Sequence, residues 1–352
     1  MVTERAVLRD RLSVASGTAR RLPFTVHRLP IALLLSLLSA GQSWGAEDDL
    51  EALRRLMGPL MAVKVETKAT LNEAKDGVPP KRGDRWTFTT GGAALTIGYS
   101  RFLNQPPDFT GSYPSLANED MGVGFDGGPF HYWYAGNAIR ILINGQDIMQ
   151  ARPAKLAEAT EGDPGRLRLV WDLTGGGELR MNFAVPDGGA GVYARIELAP
   201  AAPPVTSFQV RLTCYPGGFG PAYGHPSHRW ALTAKAEAGV PKDFVQTADR
   251  PFPVLPLPAG ESWVFYADKL QSRGSLGLVL LPEEQAAGEV RLSSYGVSTV
   301  LTYPPNARKL HLGFLAFDTA NATAQQAFVA SVAQEQRVLR IVTTSPPENV
   351  AD

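Results

Sequence analysis

From Arg85 to Phe317 the chain is almost entirely a succession of short runs in which apolar and polar residues alternate, broken by Gly, Pro, Asn and Asp. A period of two puts successive side chains on opposite faces of an extended strand, so each run reads as a strand with one buried face. The runs recur about every ten residues without intervening helices, the pattern of a large antiparallel β-sandwich. No 20–50-residue repeat with a shared signature occurs, so neither a propeller nor a solenoid is supported.

Trp86–Thr90 and Ala93–Tyr99 flank Gly91-Gly92, a hairpin signal, and Ala138–Ile143 runs into a second one, Asn144-Gly145. Leu167, Leu169, Trp171 and Leu173, then Leu179, Met181, Phe183 and Val185, then Val192, Ala194, Ile196 and Leu198 form three successive runs. Glycine-rich turns join them, which predicts a meander with a large apolar face. A Pro-rich segment, Ala199–Pro204, predicts a crossing between two sheets. Later strands are expected at Trp263–Ala267, Leu276–Leu281, Glu289–Ser293, Ser298–Tyr303 and Lys309–Phe317, for roughly fifteen in all. Two helices complete the fold class. A short N-terminal one spans Glu47 to about Met57. A C-terminal one follows Asn321, with Thr323 as cap, Gln326 completing a capping box, and Ala324, Phe328, Val332 and Val329 on its buried face.

Ahead of this body stands a basic front with Arg5, Arg9, Arg11, Arg20, Arg21 and Arg28, then the apolar run Ile31–Ala40, then Ser43-Trp44-Gly45. That order is a secretory leader, with cleavage expected before Ala46, and the apolar run is too short for a membrane span. The chain therefore divides into a signal peptide at 1–45, a helix and lead-in at 46–84, a sandwich at 85–342 and a flexible tail at 343–352. The protein is expected to be exported, to the periplasm or beyond. The whole chain has 34 basic and 34 acidic residues; the leader removes six arginines and two acids, leaving four more acids than bases. Nothing in that balance suits nucleic acid, which wants a basic face. The one cysteine, Cys214, falls on the inward face of its strand, cannot form an internal disulfide and is a poor nucleophile.

Two stretches hold the residue types of a site. Phe208, Val210, Leu212 and Cys214 alternate with Gln209, Arg211, Thr213 and Tyr215, and a loop of about a dozen residues then leads to a strand with Trp230, Leu232, Ala234 and Ala236 on one face. The loop carries Tyr223, His225, His228, Arg229 and Trp230. A histidine titrating near neutral pH suits acid–base work, so His225 and His228 are candidate catalytic groups, with Tyr223, Arg229 and Trp230 beside them to hold substrate. Two histidines alone make no metal site, because zinc wants three or four ligands. The plainer alternative is a loop folded on its own aromatics. The second stretch runs from Asn118 to Tyr134: Asp120 and Asp126 are candidate carboxylates, and His131, Tyr132 and Trp133 candidate sugar contacts. Paired carboxylates can divide acid and nucleophile roles in glycosidases, and flat aromatic rings stack on sugars. The same residues also suit an aromatic core strand with solvated acids. Asp268 and Lys269, at a strand end, read as a turn cap or a surface pair. There is no Gly-x-Ser-x-Gly, phosphate loop or dinucleotide fingerprint, and no cofactor is expected.

An exported chain of antiparallel strands with His, Arg and aromatics on long loops resembles the galactose-mutarotase-like β-supersandwiches. The resemblance is one of architecture and covers Arg85 to Phe317. It implies a carbohydrate ligand, and in the epimerases of that group a His and a Glu serve as acid and base, a role His225 or His228 would fill here. The arginine-bearing turn usual in that group is replaced by Ile143-Asn144-Gly145-Gln146. Two functions follow: a carbohydrate-binding or carbohydrate-processing protein using residues 118–134 and 219–230, or a non-catalytic structural or assembly protein of the cell envelope that presents a face to a partner.

Overall fold

The computed structural model describes residues 62–74, 79–91, 94–103, 122–126, 138–151, 153–187, 191–200, 202, 204–218, 227–270, 274–284, 286–317 and 322–344. In chain order the strands are β1 (Lys64–Asn72), β2 (Lys81–Thr89), β3 (Ala94–Phe102), β4 (Gly122–Asp126), β5 (Ile139–Ile143), β6 (Gln146–Asp147), β7 (Leu156–Thr160), β8 (Gly165–Asp172), β9 (Glu178–Val185), β10 (Gly191–Leu198), β11 (Phe208–Cys214), β12 (Arg229–Leu232), β13 (Glu237–Val240), β14 (Val254–Leu257), β15 (Trp263–Asp268), β16 (Ser275–Leu280), β17 (Ala287–Leu292), β18 (Val297–Tyr303) and β19 (Lys309–Phe317). The helices are the one-turn α1 (Ile148–Ala151) and the long α2 (Ala322–Thr344). The leader, the helix expected at Glu47–Met57 and the last residues of the tail lie outside the described residues.

The strands form two antiparallel sheets. One has ten strands in the order β1-β2-β3-β4-β5-β11-β18-β17-β14, with β6 paired to β5; the other has nine, β13-β12-β15-β16-β19-β10-β9-β8-β7. Their facing sides enclose the main core, with Phe88, Ile97, Tyr99, Trp171, Met181, Phe183, Leu212, Leu301 and Phe314 among its members. The expected meander is β8-β9-β10, three neighbours in one sheet, and the Pro-rich segment after β10 carries the chain across to β11 in the other. Asn144 and Gly145 both have positive φ, 52° and 81°, as a two-residue hairpin turn with the twist of its strands requires. Asn144 also ties down the crossing: its Oδ1 accepts the N–H groups of Thr206 and Ser207, and its Nδ2 donates to the carbonyl of Pro204. The lead-in contributes a strand, as the run Met61–Thr67 suggests in the sequence: β1 starts at Lys64 and pairs along the edge of β2.

The middle of the nine-stranded sheet is buried on both sides. Every residue of β15 and β16 is buried, which explains why Trp263–Ala267 and Leu276–Leu281 read as unbroken or nearly unbroken apolar runs rather than as clean alternations. The outer side is covered by α2, whose Ala324, Phe328, Val332, Val338, Leu339, Ile341 and Val342 pack on Tyr193, Trp263, Phe265, Val279 and Leu315. Val329, expected on that face, is 42% exposed. The helix begins at Ala322, so Thr323 and Gln326 lie within it and Thr323 is not the cap. At the other end, Arg166 donates to the carbonyl of Val342 and Arg195 to that of Thr343, placing two cations on the carbonyls a helix C-terminus leaves open.

Beneath α2, the hydroxyl of Tyr193 donates to Glu335 of the helix. Burial raises the Glu335 carboxyl above its ordinary range, and the Tyr193 hydrogen bond only partly opposes this. A carboxyl raised on folding favours the fold fully below its unfolded pKa, and that contribution fades as pH rises through the folded value. Glu335→Gln keeps an acceptor for Tyr193 without the charge. It should be more stable than the parent at pH 8, by on the order of 1 kcal/mol, and the gap should shrink toward pH 4. Urea midpoints at the two pH values measure this; a gap that is constant or widens on acidification would refute the assignment.

Candidate functional site

The long loop between β11 and β12 is described only at its two ends, and those ends are held by one buried pair. Asp268, at the end of β15, is 1% exposed. Its carboxylate accepts the hydroxyl of Ser227 (2.5 Å) and the backbone N–H groups of His228 (3.0 Å) and Leu270 (2.9 Å). Arg229 is fully buried, with Nη1 3.5 Å from Asp268 Oδ2. Its Nη2 donates to the carbonyls of Gly218 (2.6 Å) and Tyr295 (3.1 Å). Burial pulls the Arg229 pKa down, and the Asp268 charge pushes it back up. Gly218 ends the β11 side of the loop and Ser227 the β12 side, so Arg229 and Asp268 fasten both ends and join the two sheets. Asp268 caps a turn as expected, through Leu270, but it pairs inside the protein and not at the surface.

Trp230 is 8% exposed. Its indole N–H donates to Glu237, its ring packs edge-on to Phe265, and Lys269 Nζ lies 4.3 Å from the ring centre. Arg229 and Trp230, expected as substrate contacts, are instead buried, with Arg229 Nη2 and the Trp230 indole N–H donating to protein acceptors. The strand does not continue to Ala236. The hydroxyl of Thr233 accepts the N–H groups of Lys235 and Ala236, and this local turn reverses the chain into β13. His228 is partly exposed, with Nε2 over Gly239 of β13. Asp126 ends β4, opposite Thr96 in the ten-stranded sheet, whereas His228 precedes β12 in the nine-stranded sheet. Asp120, His131, Tyr132, Trp133, Tyr223 and His225 lie outside the described residues. Cys214 is buried, and burial pushes its thiol pKa up.

A different surface gathers convergent polar groups. On β11, Phe208, Val210 and Leu212 face the core, so Gln209, Arg211 and Thr213 face outward, with Tyr215 just beyond the strand. The same parity turns Ser298, Val300 and Thr302 of β18 outward, and Glu289 and Arg291 of β17. Register aligns them in rows across the strands: Gln209 opposite Thr302; Arg211 opposite Val300, itself opposite Glu289; Thr213 opposite Ser298, itself opposite Arg291. Two adjoining depressions, of about 480 and 500 Å³, lie over these rows and share Glu289, Arg291 and Ser298. At one end stand Tyr215 and Tyr295, with ring centres 5.3 Å apart and planes at 82°. Tyr295 is 45% exposed. Gly296 makes room for Tyr215: a Cβ there would lie 2.8 Å from the ring. Phe252 lines the same end.

In sequence these residues are only the polar half of an alternating pattern, and any solvated strand face looks the same. The signal, in retrospect, is that three strands each carry such a half and are paired in register.

Two large antiparallel sheets stacked in this way make a two-layer β-sandwich. Neither a family model nor a curated protein matches the chain. Among solved structures it is similar to an alpha-N-acetylgalactosaminidase, NagBb, from Bifidobacterium bifidum, at 12% identity and a TM-score of 0.46, covering 70% of this chain and 39% of that one. It is also similar to a GH36 alpha-galactosidase, AgaA, from Geobacillus stearothermophilus (9% identity, TM-score 0.35, 72% and 41% of the two chains). A third is a putative aldose 1-epimerase from Escherichia coli K12 (9%, TM-score 0.33, 71% and 99%). This chain therefore spans about two fifths of the two glycosidases.

Proposed function

We propose that this is an exported carbohydrate-binding protein whose binding surface is the outer face of the ten-stranded sheet. The observation that carries the reading is the trough over β11, β18 and β17, closed at one end by Tyr215 and Tyr295. A saccharide presents hydroxyl groups around its edge and an apolar C–H surface on its ring faces. Gln209, Thr213, Ser298 and Thr302 supply donors and acceptors for the first, and the tyrosine rings a flat partner for the second. A strand-built floor holds these groups rigidly, so little side-chain order has to be gained on binding.

Binding is favoured over hydrolysis. A glycosidase needs two carboxyl groups flanking the scissile bond, whereas among the described residues the trough is lined by one, Glu289, and that one is paired with Arg291. A processing role would fall to His225 or His228 with Asp120 or Asp126, and of these Asp126 stands in the ten-stranded sheet and His228 beside β12 of the nine-stranded one.

A glycan array followed by calorimetry tests the reading. Tyr295→Ala should weaken binding of any saccharide found by about tenfold, near 1.4 kcal/mol. The melting temperature should hardly move, because the ring is half exposed. Unchanged affinity in both Tyr295→Ala and Thr302→Ala would place the ligand elsewhere and end the proposal.

A further inference from the structure

We infer that the trough selects an acidic saccharide, one bearing carboxylate or sulfate groups, and that Arg211 is the residue that receives the acid. The inference rests on the carbohydrate reading and adds the chemical class. On this face Arg140 of β5 is neutralised by Asp147, and Arg291 by Glu289 of its own strand. Arg211 is exposed and makes no hydrogen bond or ion pair among the described residues. It lies opposite Arg140 in the β5–β11 pairing; Asp147 already meets the Arg140 charge, so Arg211 is left as the unmatched cation of the row.

The excess charge is local. The chain as a whole carries equal numbers of basic and acidic residues, while the trough is lined by two arginines and one glutamate. Around the Arg211 guanidinium the face offers neutral groups suited to sugar hydroxyls: Gln209 and Thr213 on its own strand, Ser298 and Thr302 on β18. A planar guanidinium presents paired N–H groups that match a carboxylate or sulfate two-to-two, a geometry an ammonium lacks. Directly across the sheet from Arg211, two inter-strand spacings or roughly 10 Å away, stands Glu289, and Arg291 is two residues further along β17, so an extended chain crossing the strands obliquely meets both arginines. A nucleic acid is the less suitable polyanion, since its affinity comes from several neutralised phosphates, and among the described residues lining the trough one arginine, Arg211, is unpaired.

The test is calorimetry on the full chain with three oligosaccharides of equal length: an oligogalacturonate, a sulfated galactan fragment and a neutral galactan fragment. An oligodeoxynucleotide serves as a fourth probe, and all are measured at 50 and 200 mM salt. The expected result is at least tenfold tighter binding of an acidic saccharide than of the neutral one, with the margin smaller at high salt. Arg211→Gln should remove the margin and leave the melting temperature unchanged, while Lys68→Gln, on the exposed edge strand β1, should leave it intact. Equal binding of acidic and neutral saccharides, or a preference that survives Arg211→Gln, overturns the inference and leaves the carbohydrate reading standing. Binding of no saccharide ends both, as does tighter binding of the oligodeoxynucleotide.

Discussion

Asp268→Ala is expected to destabilise the protein by about 3–5 kcal/mol, the usual loss when one partner of a buried ion pair is removed. Arg229 is fully buried beside it, so its charge would be left in a low-dielectric interior with only the carbonyls of Gly218 and Tyr295 for company. The hydroxyl of Ser227 and two backbone N–H groups would lose their acceptor as well. Arg229 Nε and Nη1 already lack a hydrogen-bond partner among the described residues, so nothing at the site is placed to absorb the change. Asp268→Asn separates the two contributions: it keeps an acceptor for the N–H groups and removes the charge, and should cost less than alanine. Denaturant midpoints measure both variants. If Asp268→Ala lies within 1 kcal/mol of the parent, the pair does not fasten the loop. Binding at the trough should suffer too, because Arg229 holds the carbonyl of Tyr295.

Phe328→Ala should cost a similar amount, about 3–5 kcal/mol. The ring sits at the centre of the layer between α2 and the nine-stranded sheet, edge-on to Trp263 and Phe317 and stacked on Phe265. Gly277 of β16 makes the seat: a Cβ at that position would lie 2.4 Å from the Phe328 ring. Gly277→Val should therefore undock the helix from the opposite side of the same contact, leaving the inner core between the sheets in place. The expected signature is exposure of α2 to protease, with the far-ultraviolet strand signal kept. Resistance of both variants to cleavage within α2 would show that Phe328 does not hold the helix.

The trough residues show how far a sequence can be read. Gln209, Arg211, Thr213 and Tyr215 are recognisable as one face of a strand, and Glu289 and Ser298 fall in expected strands. Their convergence depends on β11 pairing with β18 and β18 with β17, across stretches of chain about 90 residues apart in sequence for β11 and β18. Arg229 makes the complementary point. Period two says which residues share a face but not which face is inside; Ala231 belongs to the inter-sheet core, and Arg229, two residues before it, follows it inward. Its partner Asp268 is separated from it by three strands' worth of chain, so the sequence held no sign that the charge would be met.

Local chemistry settled the strands and their turns. Alternation marked β2, β3, β5, β8 to β11 and β17 to β19, continuous apolar runs marked β15 and β16, Asn144-Gly145 marked a hairpin, and the Pro-rich segment after β10 marked the change of sheet, because each rests on backbone and side-chain preferences acting over a few residues. Only the tertiary structure decided which strands lie side by side, which charged groups are buried together and which polar faces meet in one trough. Those outcomes depend on burial and register between distant segments, where the free energy belongs to the pair and not to either residue alone.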